Sequence, residues 1–453
     1  MTPAKTSPLP RLTVSQNHRF LTTIDGKPFF WMADTAWQLV HALTREEVDL
    51  YLTNRASKGF NVVQTVAIAE HGGLRENAYG HRPFLDNDPA HPDTRAADDY
   101  WNHMDYVIQR AEEQGLYVGL LPTWGVHVTK DYHDGIVNGV FTTENAEAYG
   151  RFIGQRYREA SNIIWILGGD RDAPTDTSKA VWWAMARGIA IGVTGREDYS
   201  DILMTYHPAG VGTSADFFHN DEWLDFNGVQ SSHGVLIKSD KVVGQTYVRT
   251  PVKPVIDLET SYAEIMMGKQ TEPVTDDMAR RSAYWAVFAG GCGHTYGHTS
   301  IWQMFAPNGK RTRGMAGATT PWPKALDAPS AAQMGHLRKL MESLPFVTRI
   351  PDQSIITSDT GKQGDHLLAT RDQEGTYAMV YSPTGGAFSL NTSWMTGSKW
   401  KAWWFNPRDG KANAIGDVPR SVEQKYSPPT QGEVQDWVLV IADSNLAFPA
   451  EEH

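Results

Sequence analysis

Apolar and polar positions follow two alternating patterns along residues 27–296. Short runs that are apolar on both faces, such as residues 60–66 and 162–167, alternate with longer segments of helical periodicity, such as 101–111. The first pattern is typical of strands buried in a parallel sheet, and the second of amphipathic helices. Eight such units predict a (β/α)8 TIM barrel. The predicted strands are residues 27–37, 60–66, 116–122, 162–167, 201–207, 224–230, 253–258 and 293–296.

Turn and capping residues support this assignment. Asp25-Gly26 predicts a hairpin between residues 19–23 and 27–32. A capping box from Thr44 to Glu47 predicts the start of a helix, and Gly59 predicts its end. The predicted helices are residues 44–58, 101–115, 144–160, 181–193 and 277–289.

The pattern changes after Pro345. Short alternating runs appear at residues 366–370, 376–381, 400–405 and 437–441, separated by turn clusters rich in Gly, Pro and Asp. We predict a small antiparallel β-sandwich without a catalytic role. The predicted domains are therefore a barrel with its N-terminal hairpin over residues 1–347, and a β-sandwich over residues 348–453.

Charge and composition restrict the partners. The formal net charge is −11, which disfavours nucleic acid because like charges repel. No run of about 20 apolar residues is present, so no membrane span is expected. The start carries no apolar signal-peptide segment, which favours either a cytoplasmic protein or one whose leader was removed. One cysteine, Cys292, excludes an intrachain disulfide.

Active sites of (β/α)8 enzymes lie at the carboxyl ends of the strands, where two acids stand out. Asp170 follows strand four after a Gly-Gly pair, and Glu259 follows strand seven. Glycoside hydrolysis needs one protonated and one ionised carboxyl group, and two neighbouring carboxyls push their pKa values apart. We predict this pair as catalytic. The competing residues are Asp172, farther into the loop, and Asp257, on Glu259's face by alternation but deeper.

Other polar and aromatic side chains at the strand ends are predicted to bind substrate. They are Asp34, Gln64, Trp124, His207, Gln230, His233, Tyr296 and His298. His294 and His298 are four residues apart, but a zinc-peptidase helix would need Glu beside the first His, and Gly297 disfavours a helix. No nucleotide-binding glycine motif or serine-esterase motif is present. We therefore predict no metal and no cofactor.

Several of these segments resemble the apiosidase-like family, glycoside hydrolase family 140. The resemblance covers the barrel, roughly residues 15–345, and is carried by residues 30–37, 58–64, 165–170, 257–259 and 293–298. It implies exo-acting removal of apiose from a plant cell-wall polysaccharide. It also implies an Asp and a Glu as catalytic residues, which here are Asp170 and Glu259. From their positions after strands four and seven, we predict Asp170 as acid/base and Glu259 as nucleophile. The C-terminal part is similar to a small β-domain named for collagen binding.

Two residues depart from the pattern of the wider group of retaining glycosidases to which this resemblance points. Those enzymes usually carry Asn-Glu at the end of strand four, where this chain has Gly169-Asp170. The shorter acid can alter the carboxyl separation on which retention of configuration depends. The alternative function is a non-catalytic glycan- or collagen-binding protein on an inactive barrel. The exact sugar, the linkage, the oligomeric state and the compartment stay open at this point.

Overall fold

The computed structural model describes residues 8–235, 237–307 and 314–448. A small antiparallel sheet precedes the barrel and contains the predicted hairpin, with Gly26 in the left-handed conformation (φ 84°) at its turn. Its strands are β1 (Leu12–Val14), β2 (Leu21–Thr23) and β3 (Pro28–Phe29).

Eight parallel strands with surrounding helices then form the barrel, which confirms the predicted fold class. The order in the sheet is β8-β7-β6-β5-β4-β12-β11-β10-β9, and β9 pairs antiparallel to β10. The strands are β4 (Trp31–Thr35), β5 (Val62–Val66), β6 (Tyr117–Leu121), β7 (Ile163–Gly168), β8 (Met204–His207), β9 (Gly212–Thr213), β10 (Asn227–Gln230), β11 (Val255–Glu259) and β12 (Gly293–Tyr296).

The barrel closes between β8 and β10 through two hydrogen bonds at their start. The Asp225 amide donates to the Met204 carbonyl at 2.9 Å, and the Thr205 hydroxyl donates to the Phe226 carbonyl at 2.6 Å. Closure brings the carboxyl ends of all eight parallel strands to one rim. This rim is where the side chains that follow each strand can meet.

The helices pack around the barrel. α2 begins at the predicted capping box, in which Thr44 and Glu47 bond each other's backbone amides. α5 begins at residue 176, not 181, because its first turn is polar and is marked only by the Thr175 cap. The helices are α1 (Leu39–Ala42), α2 (Arg45–Ser57), α3 (Tyr100–Glu113), α4 (Thr143–Arg156), α5 (Asp176–Thr194), α6 (Ala215–Phe218), α7 (Ser239–Tyr247), α8 (Asp276–Phe288), α9 (Thr299–Trp302), α10 (Trp322–Ala325) and α11 (Pro329–Glu342).

The apolar periodicity did not predict α7 and α11. α7 has only two buried valines among largely polar residues, and the buried face of α11 contains Ser330, Gln333 and Gly335 between its apolar residues. Gly335 permits a close approach, since a Cβ atom there would lie 2.3 Å from the Lys58 carbonyl oxygen at the end of α2. None of the helices in the described part of the chain is both long and apolar enough to cross a membrane.

An antiparallel β-sandwich follows the barrel. Its larger sheet has the order β13-β14-β15-β20-β17-β18, and β16 pairs with β19. The division at residues 347/348 stays a prediction; α11 ends at Glu342, and the first strand of the sandwich begins at Arg349. The strands are β13 (Arg349–Pro351), β14 (Leu368–Asp372), β15 (Tyr377–Ser382), β16 (Phe388–Leu390), β17 (Trp400–Phe405), β18 (Ala412–Asp417), β19 (Gln424–Tyr426) and β20 (Trp437–Asp443).

Both faces of the central strands β15, β17 and β20 are largely buried, which explains the aromatic content of the larger sheet. Alternate residues belong to two apolar clusters, as expected from the period of two along a strand. Trp403 and Tyr381 belong to the cluster shared with the barrel, whereas Trp404 packs with Phe388 inside the sandwich. Tyr381 stacks on Tyr284 of α8, with ring centroids 4.8 Å apart.

A buried ion pair fixes this interface. Arg280 of α8 bonds both carboxylate oxygens of Asp436, at 2.8 and 2.9 Å, and each side chain is 4% exposed. We expect Arg280→Met to lower the free energy of unfolding by roughly 3–5 kcal/mol, because it leaves the Asp436 charge buried without its main partner. Chemical denaturation measures this loss.

Arg187→Met is the control for Arg280→Met. Arg187 is half exposed and pairs with Glu147 and Glu197 on the surface, so its loss should cost less than about 1 kcal/mol. Equal effects of the two variants would show that the buried pair does not fix the interface.

Candidate active site

A cleft of about 470 Å³ lies at the rim formed by the carboxyl ends of the barrel strands. Both predicted catalytic acids face it, together with five aromatic side chains and the loops after β5, β11 and α9. The lining residues are Trp37, Glu70, His71, Trp124, Tyr132, Asp170, His233, Glu259, Tyr262, Ile265, Met266, Met267, Gly268, Trp302, Met315, Ala316 and Gly317.

A β-bulge in β11 turns Glu259 toward the cleft. Val229 and Gln230 are consecutive in β10, but their partners in β11 are Asp257 and Glu259, so β11 carries one extra residue. A bulge reverses the alternation of side chains beyond it. Alternation alone predicted Asp257 on the same face as Glu259. Because of the bulge, the two side chains lie on opposite faces of the strand. Asp257 accepts a hydrogen bond from the Ser231 hydroxyl at 2.7 Å, within a Ser/Thr cluster that includes Ser239 of α7.

Three neighbours hold the Glu259 carboxylate. The Tyr262 hydroxyl donates a hydrogen bond to Oε1, and His233 Nε2 lies 3.3 Å from the same oxygen. His207 Nε2 lies 3.0 Å from Oε2. Burial alone would raise the pKa of Glu259, but the charge of His233 and the contacts with both imidazoles lower it below its usual range. Glu259 is therefore an anion at neutral pH.

His233 is the cation beside this anion. Burial opposes its charge, yet the Glu259 carboxylate raises the pKa of His233 to about 9. Gln230 lies next to it, with its side-chain amide 2.8 Å from His233 Nε2. Because the amide oxygen and nitrogen exchange places by a half turn, Gln230 can present its oxygen to the protonated ring. His207, Gln230 and His233, which were predicted as substrate contacts, thus surround the nucleophile candidate.

The chain after β7 places Asp170 at the edge of the cleft. Gly168, Gly169 and Asp170 all have positive φ, at 86°, 111° and 54°. A side chain at Gly169 would lie 2.8 Å from the Trp124 ring, so the turn requires glycine there. A left-handed Asp is uncommon, and such conformations concentrate at functional sites.

The environment of Asp170 differs from that of Glu259. Burial, followed by repulsion from the Glu259 carboxylate, raises the pKa of Asp170 to about 6. The Asp170 backbone amide lies 3.3 Å from His207 Nδ1, which also lies 3.0 Å from the Pro208 carbonyl oxygen. His207 therefore connects the two acid-bearing loops. The arrangement pairs one acid that protonates near neutral pH with one that stays ionised.

The two acids are close together. One oxygen of Asp170, one oxygen of Glu259 and one nitrogen of His233 lie within 4.8 Å of each other. This group could also offer three ligand atoms to a metal ion. Metal binding would require His233 to be neutral, because a protonated imidazole cannot bind a metal.

Aromatic rings form a second wall of the cleft. Trp124, a predicted substrate contact, lies 4.9 Å from Trp37 between ring centroids. Trp37 Nε1 donates to the Tyr262 hydroxyl at 3.1 Å, so one chain of hydrogen bonds runs from Trp37 through Tyr262 to Glu259. Rings of this kind can pack on the C–H face of a sugar.

Asp34 and Tyr296 do not reach the cleft. Trp31 and Trp37 point into the barrel. Asp34 lies three residues from each, which is an odd number, so by alternation its side chain points to the helices. There it accepts a hydrogen bond from Tyr51 at 2.6 Å and lies 3.5 Å from Arg55. The Tyr296 hydroxyl bonds Ser330 of α11 at 2.9 Å. Both side chains therefore connect the barrel to its helices.

Gln64 and His298 also lie outside the cleft lining. Gln64 points into the barrel but below the cleft, where its amide nitrogen donates to the Leu258 carbonyl at 2.9 Å. His298 caps α9, accepting the Ser300 amide at 3.1 Å. Asp172, the competitor of Asp170, bonds His133 at 2.7 Å and the Ala209 amide at 3.1 Å, which ties neighbouring loops together.

Most lining residues had no role in the sequence predictions, and five of these besides Trp37 carry aromatic or polar side chains. Tyr262 is three residues after Glu259, a spacing that could have indicated a contact. Glu70, His71 and Tyr132 come from long loops without periodicity, and Trp302 is the last residue of the short helix α9. Arg171 connects this group, lying 3.4 Å from Glu70 and stacking on the Tyr132 ring at 4.0 Å.

Sequence comparison matches residues 15–348 with the family model "Apiosidase-like, catalytic domain". The chain belongs to this apiosidase-like family. Residues 350–442 match a second model, described as "Putative collagen-binding domain of a collagenase". The chain has no significant match among curated proteins.

Solved structures similar to this apiosidase-like protein are glycoside hydrolases. One, described as a glycoside hydrolase, is 36% identical with a TM-score of 0.87, covering 96% of this chain and 97% of its own. A second, a glycoside hydrolase family 5 protein from Bacteroides vulgatus, is 34% identical with a TM-score of 0.87, covering 97% and 95%. The apiosidase-like protein is a glycoside hydrolase, and the alternative of a non-catalytic binding protein is not supported.

Proposed function

We propose that this protein removes apiose from a plant cell-wall polysaccharide by a retaining mechanism, with Glu259 as nucleophile and Asp170 as general acid/base. The observation that carries the mechanism is the proximity of the two acids, which have oxygens within 4.8 Å of each other. Retaining glycosidases hold their carboxyl groups about 5–5.5 Å apart, whereas inverting enzymes need about 6.5–9.5 Å to admit water between them.

The two pKa shifts support the division of roles. Asp170, with its pKa near 6, can hold a proton for the leaving oxygen. Glu259, with its lowered pKa, is ionised and available to attack the anomeric carbon. The reverse assignment would require the acid next to the protonated His233 to be the proton donor, which that charge opposes.

The reaction then has two steps. Glu259 attacks the anomeric carbon, the glycosidic bond breaks, and Asp170 transfers its proton to the leaving oxygen. A covalent glycosyl-enzyme results. Water enters, Asp170 removes a proton from it, and its oxygen displaces Glu259 with a second inversion, so the product retains its configuration. The hydrogen bond from Tyr262 and the charge of His233 stabilise Glu259 whenever it is an anion.

The sugar is proposed from family membership, and the cleft supports a compact sugar ring. Trp37, Trp124 and Trp302 offer apolar faces, while Glu70 and His71 offer groups for hydroxyls. An exo-acting enzyme releases one sugar at a time from the chain end.

A substrate panel tests the proposed activity. The purified protein is incubated with 4-nitrophenyl glycosides of apiose, arabinose and galactose, and with an apiose-containing plant pectin, and released monosaccharides are identified by chromatography. We expect free apiose from the apioside and from the pectin, and a retained anomer by NMR at early times. Release of only another sugar would refute the apiose proposal, and an inverted first product would refute the retaining mechanism.

A further inference from the structure

A second cleft adjoins the catalytic cleft. Its volume is about 530 Å³, within the range of about 300–1,000 Å³ typical of ligand-binding sites. The two clefts share His71 and Met315 as a common wall. The second cleft is lined by Gln38, His41, Ala42, Thr44, Glu47, His71, Glu76, Asn77, Ala78, Gln303, Phe305, Ala306 and Met315.

The shared wall has a fixed position. The Gln303 side chain donates to the Met315 carbonyl at 3.0 Å and accepts the Met315 amide at 2.8 Å. A second bond from the same side chain reaches the Thr299 carbonyl at 2.6 Å. Met315 is thereby tied to the end of α9.

Asn77 gives the second cleft a hydrogen-bond donor of known orientation. Its Oδ1 accepts the backbone amides of Tyr79 and His81 at 3.0 and 3.1 Å, which fixes the direction of the side-chain amide. Its Nδ2 is buried, and no acceptor in the described ranges of the chain bonds it. The residue is 5% exposed. A buried donor without a partner is costly, which suggests that an acceptor is supplied from outside.

Gln38, which also lines the second cleft, repeats this feature. It is also 5% exposed, and its Nε2 is buried with no acceptor among the residues described. Its backbone amide is fixed by the Trp302 carbonyl at 3.1 Å. Two amide donors stand against an apolar surface that includes Phe305, Ala306 and Met315. Hydroxyl acceptors on one side and C–H groups on the other are what a sugar ring presents.

We infer that the second cleft is a further sugar-binding subsite, which holds a neighbouring residue of the glycan while the catalytic cleft holds the sugar that is released. The preferred substrate is then an oligosaccharide or polysaccharide that occupies both clefts, and not a simple monoglycoside. This inference rests on the proposed function, because it takes the first cleft as the place of bond cleavage.

Two substrates test the subsite, namely 4-nitrophenyl apioside, which fills only the catalytic cleft, and an apiose-containing pectic oligosaccharide. The first variant, Asn77→Asp, keeps the oxygen that binds Tyr79 and His81 and removes the donor. The second, Gln38→Met, keeps the length of the side chain and removes the amide. We expect each variant to lower kcat/KM for the oligosaccharide about 3- to 10-fold and to leave that for the aryl apioside unchanged.

Asn391→Asp is the matched control. Asn391 accepts the Ser393 amide at 2.9 Å in the C-terminal domain, so it has the same local role as Asn77 but lies far from both clefts. It should behave as the unchanged protein with both substrates. Thermal melting of all three variants separates a folding defect from a binding defect, and Gln38→Met, which removes no formed amide-nitrogen bond, should melt at the unchanged temperature.

Binding to the catalytically inactive Glu259→Gln protein gives a result that does not depend on turnover. Calorimetry should show that adding Asn77→Asp or Gln38→Met to it weakens oligosaccharide binding about 3- to 10-fold. If the oligosaccharide binds in this way but is not hydrolysed by the unchanged protein, the subsite stands and the proposed function fails. Variants that match the control with the oligosaccharide, or that lose activity equally on both substrates, would overturn the subsite. An oligosaccharide that does not bind would overturn it as well.

Discussion

Glu259→Gln is expected to lower kcat by roughly 10⁴-fold or more, since the amide cannot attack the anomeric carbon. The side chain keeps its size, and its oxygen can still accept the hydrogen bond from Tyr262. The fold should therefore be preserved, as measured by thermal melting. Kinetics with an aryl glycoside give the change in kcat directly.

Azide distinguishes a nucleophile from an acid that only stabilises charge. In Glu259→Ala, azide can occupy the space of the lost carboxylate and should yield a glycosyl azide of inverted configuration. Glu264→Gln is the control, because Glu264 lies five residues on, outside the cleft lining, at 3.7 Å from His298. Glu259→Gln with near wild-type kcat, or an azide product of retained configuration, would rule out Glu259 as the nucleophile.

Asp170→Asn is expected to lower kcat/KM by about 10²–10⁴-fold for substrates with poor leaving groups, because these need the proton. An activated dinitrophenyl glycoside needs no proton to depart, so its first step should be nearly unaffected. The second step still needs the base, and a burst of dinitrophenol followed by slow turnover should appear. Stopped-flow absorbance measures both phases.

The pH profile gives an independent check on Asp170. Asp170 acts first in its protonated form, and its pKa is about 6, so kcat/KM should fall as the pH rises through about 6. The lowered pKa of Glu259 keeps the attacking anion present well into the acid range. Because the two acids interact, the apparent pKa values measured from the pH profile belong to the pair and not to either residue alone. Asp170→Asn should abolish the alkaline limb, and Asp172→Asn should retain it; the opposite result would transfer the acid role to Asp172.

Much of the barrel could be predicted from sequence because its strands are short apolar runs bounded by glycine or polar caps. Residues 60–66 and 162–167 are examples, and the structure has β5 and β7 there. Polar helices could not be found in this way, since α7 is positioned by contacts with the barrel and not by its own periodicity. Terminal residues of helices, as in α5, depend on a single cap.

The site could be predicted only where the sequence signal was local. Asp170 and Glu259 follow strands directly, so their position at the rim required only the barrel topology. Asp34 was placed by its position at a strand end, although the alternation from Trp37 would have turned it away from the cleft. Glu70 and Tyr132 were not found, because long loops are placed by tertiary contacts such as those of Arg171.

The extra residue in β11 has a consequence for how this enzyme tolerates insertions and deletions. Asp257 and Glu259 serve opposite sides of the same wall, one in the Ser/Thr cluster beneath the helices and the other in the cleft. Removing Leu258 would regularise the strand and make Asp257 and Glu259 adjacent, which keeps them on opposite sides with Glu259 still opposite Gln230. Both substitution and loss of Leu258 should therefore keep Glu259 on the cleft side of β11, so laboratory evolution of this strand need not proceed at constant length.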